Sequence, residues 1–189
     1  MKKYEFTEET TKMRETILHR IIAVRDFDDV KKGDLGGFIE SERNLSHEGN
    51  AWVYDNAMAY DNAQVDDNAK IFNNAWACDN AKICNDARVY DNAVIYDNAS
   101  VWDNARVRHD ARVWDSAMIC DNAIIGNNAR VCHNAKVYDN AVVYGNARIC
   151  HCAKVCGKAE VAGNTEIYGS VTVYGKAKIF GGVFDNEDI

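Results

Sequence analysis

From Val53 onward an aliphatic residue or alanine returns every six residues, through Ile71, Val101, Ile119, Val137, Val155 and Val173 to Ile179, with Ala59 and Ala77 as the small members. Four residues after each of these stands alanine, from Ala57 to Ala177, Thr165 and Val171 being the late exceptions. The stretch "VYDNAVIYDNASVWDNARV", residues 89–107, spells the unit V-x-[DN]-N-A-x three times over. An α-helix turns every 3.6 residues or so and would scatter such a repeat around its sides, whereas a short fixed period points to a solenoid. Each unit is predicted to be a short strand and a bend, the aliphatic residue pointing inward and its successor outward. Asp-Asn or Gly-Asn supplies the turn, with Asn, tolerant of positive φ, as its hinge. Alanine then comes back inward, where a bulkier side chain has no room.

This pattern resembles the hexapeptide-repeat, left-handed parallel β-helix proteins, whose motif is an aliphatic residue followed four positions later by a small one. The likeness covers about residues 50 to 182, roughly 22 units. It implies an all-β triangular solenoid of about seven coils, each of about 18 residues and stacked about 4.8 Å apart, on the order of 35 Å long. Residues 47–182 are expected to form this body and residues 183–189 an acidic tail. Residues 1–46 are expected to cap the first open edge, which a solenoid must cover. Within them "ILHRIIAVRDF" has strand composition and "DVKKGDLGGFIESERNLS" reads as an ordered loop. The opening "IIAVRDFDDVKKGDLGGFIE…NLSHEGNAWVYDNA" is similar to uncharacterised bacterial and phage hexapeptide-repeat proteins, some labelled transferases. That label follows the fold, and a function has to be argued from a site.

Length and composition narrow the class. A chain of 189 residues with 47% hydrophobic content suits one main domain. Neither a secretory apolar segment behind "MKKYEFTEETTK" nor a membrane-length apolar run is present, so a cytoplasmic protein without membrane contact is expected. The seven cysteines are odd in number and are expected as free thiols. A net charge of −7 argues against direct nucleic-acid binding through phosphate contacts and leaves room for an acidic nucleic-acid mimic.

In such coils residues one turn apart stack into outward columns. Tyr54, Phe72 and Tyr90 form one; Tyr60, Cys78, Tyr96 and Trp114 a second; Cys84, Trp102, Cys120, Tyr138, Cys156 and Tyr174 the third. Aromatic ladders of this kind stabilise sheets by up to about 1 kcal/mol per pair. Exposed, they also mark an interface, and the resemblance implies trimers packed along the coil axis. Candidate interaction residues are therefore Tyr60, Tyr90, Tyr96, Trp102, Trp114 and Tyr138. Acidic columns join them: Asp61, Asp79, Asp97 and Asp115 on one edge, Asp103, Asp121 and Asp139 on another. Like charges about 5 Å apart in water repel by roughly 1 kcal/mol. Lys70, Arg88 and Arg106, and again Arg112, Arg130 and Arg148, are expected to compensate them.

A third constellation is "VCHNA" followed 18 residues later by "ICHCA", which stacks Cys132 on Cys150 and His133 on His151 with Cys152 nearby. These are zinc-type ligands, although adjacent strand residues point apart unless a bend lies between them. A Cys132–Cys150 disulfide is also compatible with the spacing.

Two classes of function follow. The first is a non-enzymatic binding or scaffold protein, a homo-oligomer (trimer or dimer) engaging a further protein through its aromatic and acidic columns, with no firm cofactor. A phage-type inhibitor or nucleic-acid mimic falls within that class. The second, implied by the resemblance, is an acyltransferase using acetyl-CoA at a subunit interface, with His109, His133 or His151 as base. The uninterrupted repeat lacks the loop that usually shapes such a pocket. The three histidines do not reproduce the zinc-site spacing of the gamma-class carbonic anhydrases that share the fold.

Overall fold

The computed structural model describes residues 1–186, so the last three residues of the expected tail lie outside the described residues. From Trp52–Val53 to Val183–Phe184 the chain forms two-residue strands in strict succession. They pair in parallel and gather into three sheets, of eight and seven strands and one of eleven that also holds the N-terminal strands. Arg88–Val89 pairs in register with Lys70–Ile71 on one side and Arg106–Val107 on the other. The predicted coil of 18 residues thus closes, and the all-β parallel solenoid is the observed fold. Val183–Phe184 pairs with Glu166–Ile167, which carries the sheet one residue pair past the expected end at 182.

The core follows the repeat. Val89, Ile95, Val101 and Val107, together with Ala87, Ala93, Ala99 and Ala105, have no solvent exposure. Each alanine amide closes a turn on the carbonyl three residues back, as Ala93 does on Tyr90, while the neighbouring Asn92 amide reaches the His109 carbonyl of the next coil.

The hinge differs from expectation. Positive φ belongs to the third position of the unit, the one before the asparagine position: Asp61, Asp97 and Asp121 at 55°, His109 at 58°, Gly157 at 69°. Asp, Asn, His and Gly are the residues that enter this region most readily. The following asparagine instead stacks, Asn62 donating to Asn80 and Asn80 to Asn98 at 3.2 Å each.

The N-terminal region builds a hairpin, β1 (Tyr4–Met13) and β2 (Thr16–Ala23), turned at Arg14 with φ 55°. β3 (Leu35–Ile39) pairs antiparallel with β2 and parallel with Met58–Ala59, so these strands extend one wall of the prism. "LGGFI", expected as loop, is therefore strand. Glycine is needed there because a Cβ on Gly36 would lie 2.6 Å from Ile21 and 2.7 Å from Trp52. The loop residues Phe27 and Val30 and the side chains of Tyr4 and Trp52 close the end of the core. Backbone acceptors left at the first coil find side-chain donors: the Lys3 ammonium donates to the Ala51 carbonyl at 2.7 Å, and the Asn44 amide to Asp61 and Ala63 at 3.0 and 2.9 Å. β1 carries Glu5, Glu8, Glu9 and Lys12 along its outer edge, a charge pattern that discourages edge-to-edge pairing.

Candidate functional site

Along the coils, the outward side chains lie on three faces and three edges. On the first face Phe72 stacks on Tyr90 with ring centres 5.0 Å apart and planes at 8°, and Tyr54 meets Phe72 edge-on. On the second, Tyr96 stacks on Trp114 at 5.7 Å and 5°. Stacking leaves Tyr90, Tyr96 and Trp114 half-buried. Tyr60 departs from the expectation of an exposed contact residue: it is 4% exposed, buried with Cys78 under Leu18 and Phe38 of the cap. The hairpin outreaches the two-residue strands and covers that end of the column. The third face stays open, with Trp102 and Tyr174 exposed and Tyr138 half-buried between them.

The acidic columns have a structural partner that the charge pattern did not reveal. Asp61 accepts the backbone N–H of Asp79 at 3.4 Å, Asp79 that of Asp97 at 3.3 Å, and Asp97 that of Asp115 at 3.2 Å. Each carboxylate thus binds the N–H of the positive-φ corner one coil further on. A hydrogen bond to a charged acceptor is worth about 1.5–3 kcal/mol, more than the roughly 1 kcal/mol of like-charge repulsion in water. Among the described residues no ion pair joins Arg88, Arg106, Arg112 or Arg130 to these carboxylates. The compensation comes from the backbone.

His109 occupies a corner on a different edge from the other two candidates and copies the Asp role, its Nδ1 accepting the N–H of Asn127 at 3.1 Å. His133 and His151 sit together at the end of the Asp61–Asp115 column, rings parallel and 4.7 Å apart. Beside them the Tyr60–Trp114 column changes to Cys132 and Cys150, both buried, with Sγ atoms 2.6 Å apart. His133 Nδ1 lies 3.1 Å from Cys132 Sγ and 3.8 Å from the Asp115 carboxylate. The positive φ of 57° at His133 is the bend that turns both adjacent side chains to one side. Cys152 is exposed, on the neighbouring column.

All seven cysteines are free. Burial pushes the Cys78 thiol up to about 12 and the Cys120 thiol up to about 11, so both stay protonated near neutrality and inert. Cys150 is the exception: the thiol of Cys132 donates to it and lowers its pKa.

A cluster joining cap to coils escaped the periodic reading. Asp29 Oδ1 accepts from the Tyr54 hydroxyl and from the Lys70 ammonium, each at 2.7 Å, and Lys70 also pairs with Asp28. Burial, followed by the hydrogen bond to Asp29, pushes the Tyr54 hydroxyl up to about 12. These residues border a groove of about 310 Å³ with Asp55, Phe72 and Arg88.

The uninterrupted two-residue strands, inward Val/Ile and Ala, and polar corners define a β-solenoid of hexapeptide repeats. In particular, residues 81–97 and 135–151 match the model of the YdcK β-solenoid repeat. Over 52 residues, 28% of this chain, it is 44% identical to the "Uncharacterized acetyltransferase YdcK" of Escherichia coli (strain K12). The matched stretch spans 16% of the length of that relative. No helix among the described residues is long and apolar enough to cross a membrane.

Proposed function

We propose that the protein is a non-enzymatic scaffold, a cytoplasmic prism that binds protein through its third face, with a second copy of the same chain as the first partner. The carrying observation is the uncovered aromatic column on that face, Trp102 being 37% and Tyr174 71% exposed. Between them Met118, Cys120, Lys136, Tyr138 and Lys154 line a groove of about 290 Å³. Asp121 and Asp139 run along the adjoining corner. A lysine row beside a carboxylate row is self-complementary, since a two-fold axis sets the lysines of one copy against the carboxylates of the other. Light scattering over a concentration series tests this: a dimer is expected, reverting to monomer in a Trp102→Glu/Tyr138→Glu variant with unchanged circular dichroism. A wild-type chain that stays monomeric at high concentration overturns it.

The name of the E. coli relative, an uncharacterised acetyltransferase, favours a second reading, acetyl transfer with His133 or His109 at a subunit cleft. Protection from thermal unfolding by acetyl-CoA, lost in those histidine variants, would support it. Equal melting with and without acetyl-CoA excludes it.

A further inference from the structure

We propose that Cys132, Cys150 and His133 form a binding site for a thiophilic divalent cation of the zinc type, bridging two successive coils. The ligand atoms of these three residues all lie within 4.8 Å of one another. The sulfurs, at 2.6 Å, are closer than the 3.5–4.0 Å or so at which non-bonded heavy atoms rest most favourably. Two thiolates sharing one ion at Zn–S distances of about 2.3 Å in tetrahedral geometry would sit roughly 3.8 Å apart, so binding requires a side-chain rotation that parts the sulfurs. The third donor separates an ion site from a simple thiol pair. His133 Nδ1 already lies 3.1 Å from Cys132 Sγ, a position that a disulfide would give no reason for.

The surroundings suit a metal. Both thiols are buried while His133 is half exposed, which gives two sheltered soft ligands and one side open to a water molecule as fourth ligand. The Asp115 carboxylate, 3.8 Å from His133, adds negative charge beside the site. His151 stacks on His133 and is itself met edge-on by Tyr168, so the imidazole is held in orientation from the following coils. The two column changes coincide: aromatic gives way to cysteine and aspartate to histidine in the same two coils, and Tyr168 resumes the aromatic column directly after.

The test is zinc content of the full chain purified without chelators, or dialysed against zinc and then freed of excess. One equivalent per chain is expected, abolished in Cys132→Ser and Cys150→Ser and retained in Cys152→Ser. His133→Asn, which keeps the corner backbone, should weaken binding at least tenfold by competition with a chromophoric chelator. Cobalt loading should give a thiolate-to-metal absorption band that vanishes with either cysteine. Less than a tenth of an equivalent after zinc dialysis, with both thiols open to alkylation, overturns the site. So does an intact mass short of two hydrogens, which would show a Cys132–Cys150 disulfide in place of a metal centre.

Discussion

The Asp103 carboxylate accepts the backbone N–H of Asp121 at 3.2 Å, and Asp121 repeats the contact with Asp139 at 2.9 Å. One side chain therefore does two things at once: it permits a left-handed corner, and it ties that corner to the coil above.

Substitutions at Asp121 separate these roles. Asparagine keeps both the backbone tolerance and an acceptor, and should be near neutral. Glycine keeps φ but loses the charged acceptor, at a net cost of about 1 kcal/mol once the relieved repulsion between stacked carboxylates is set against the lost hydrogen bond. Alanine loses both, at roughly 2 kcal/mol. Urea denaturation should rank them Asn, Gly, Ala; glycine falling below alanine would refute the corner's conformational role.

The inner alanines set the width of the coil. Ala105 is fully buried, and Ala105→Leu should destabilise by about 1–3 kcal/mol through overpacking. Arg106→Leu, one residue on and exposed, should change stability by less than about 0.5 kcal/mol. Similar melting for the two variants would contradict a tightly filled interior.

Lys3 gives a pH signature. Burial, reinforced by Arg25, lowers its ammonium pKa to about 8. The cost of holding the charge is therefore complete below that value. As pH climbs from about 8 toward the unfolded value near 10.4, the unfolded chain holds more protons and stability rises, by up to about 1.4 kcal/mol per unit. The stability of wild type relative to Lys3→Met should improve between pH 7.5 and 9.5; a constant difference would show that Lys3 does not titrate in this window.

The clasp between cap and coils should respond to acid. The hydrogen bond from Lys70 holds the Asp29 carboxyl below the usual carboxylate range. Its contribution is present above the unfolded carboxylate pKa of about 3.9 and is lost as pH falls through the lower folded value. Lys70→Met should cost about 1 kcal/mol at neutral pH and speed amide exchange across residues 26–34. Exchange there equal to wild type would dismiss the clasp.

What the sequence made legible follows from periodicity. A column is an arithmetic progression, so the stacking of Cys132 on Cys150, of His133 on His151 and of Phe72 on Tyr90 could be read before any coordinates. What broke the progression was hidden. The burial of Tyr60 depends on a hairpin whose position no repeat encodes, and the Asp29–Tyr54–Lys70 cluster joins a cap loop to two coils across unrelated separations. The hinge lies one residue before the asparagine that the composition favours, because Asp and Asn adjoin and both tolerate positive φ. The signal that could have settled it is that glycine and histidine substitute at the first of the two positions.

That same corner bears on how histidines in this chain can be interrogated. His109, His133 and His151 all hold φ between 57° and 60°. Replacing any of them by alanine would report backbone strain and lost chemistry as one undivided loss. Asparagine is the informative control at all three, because it removes the imidazole while leaving the chain free to turn.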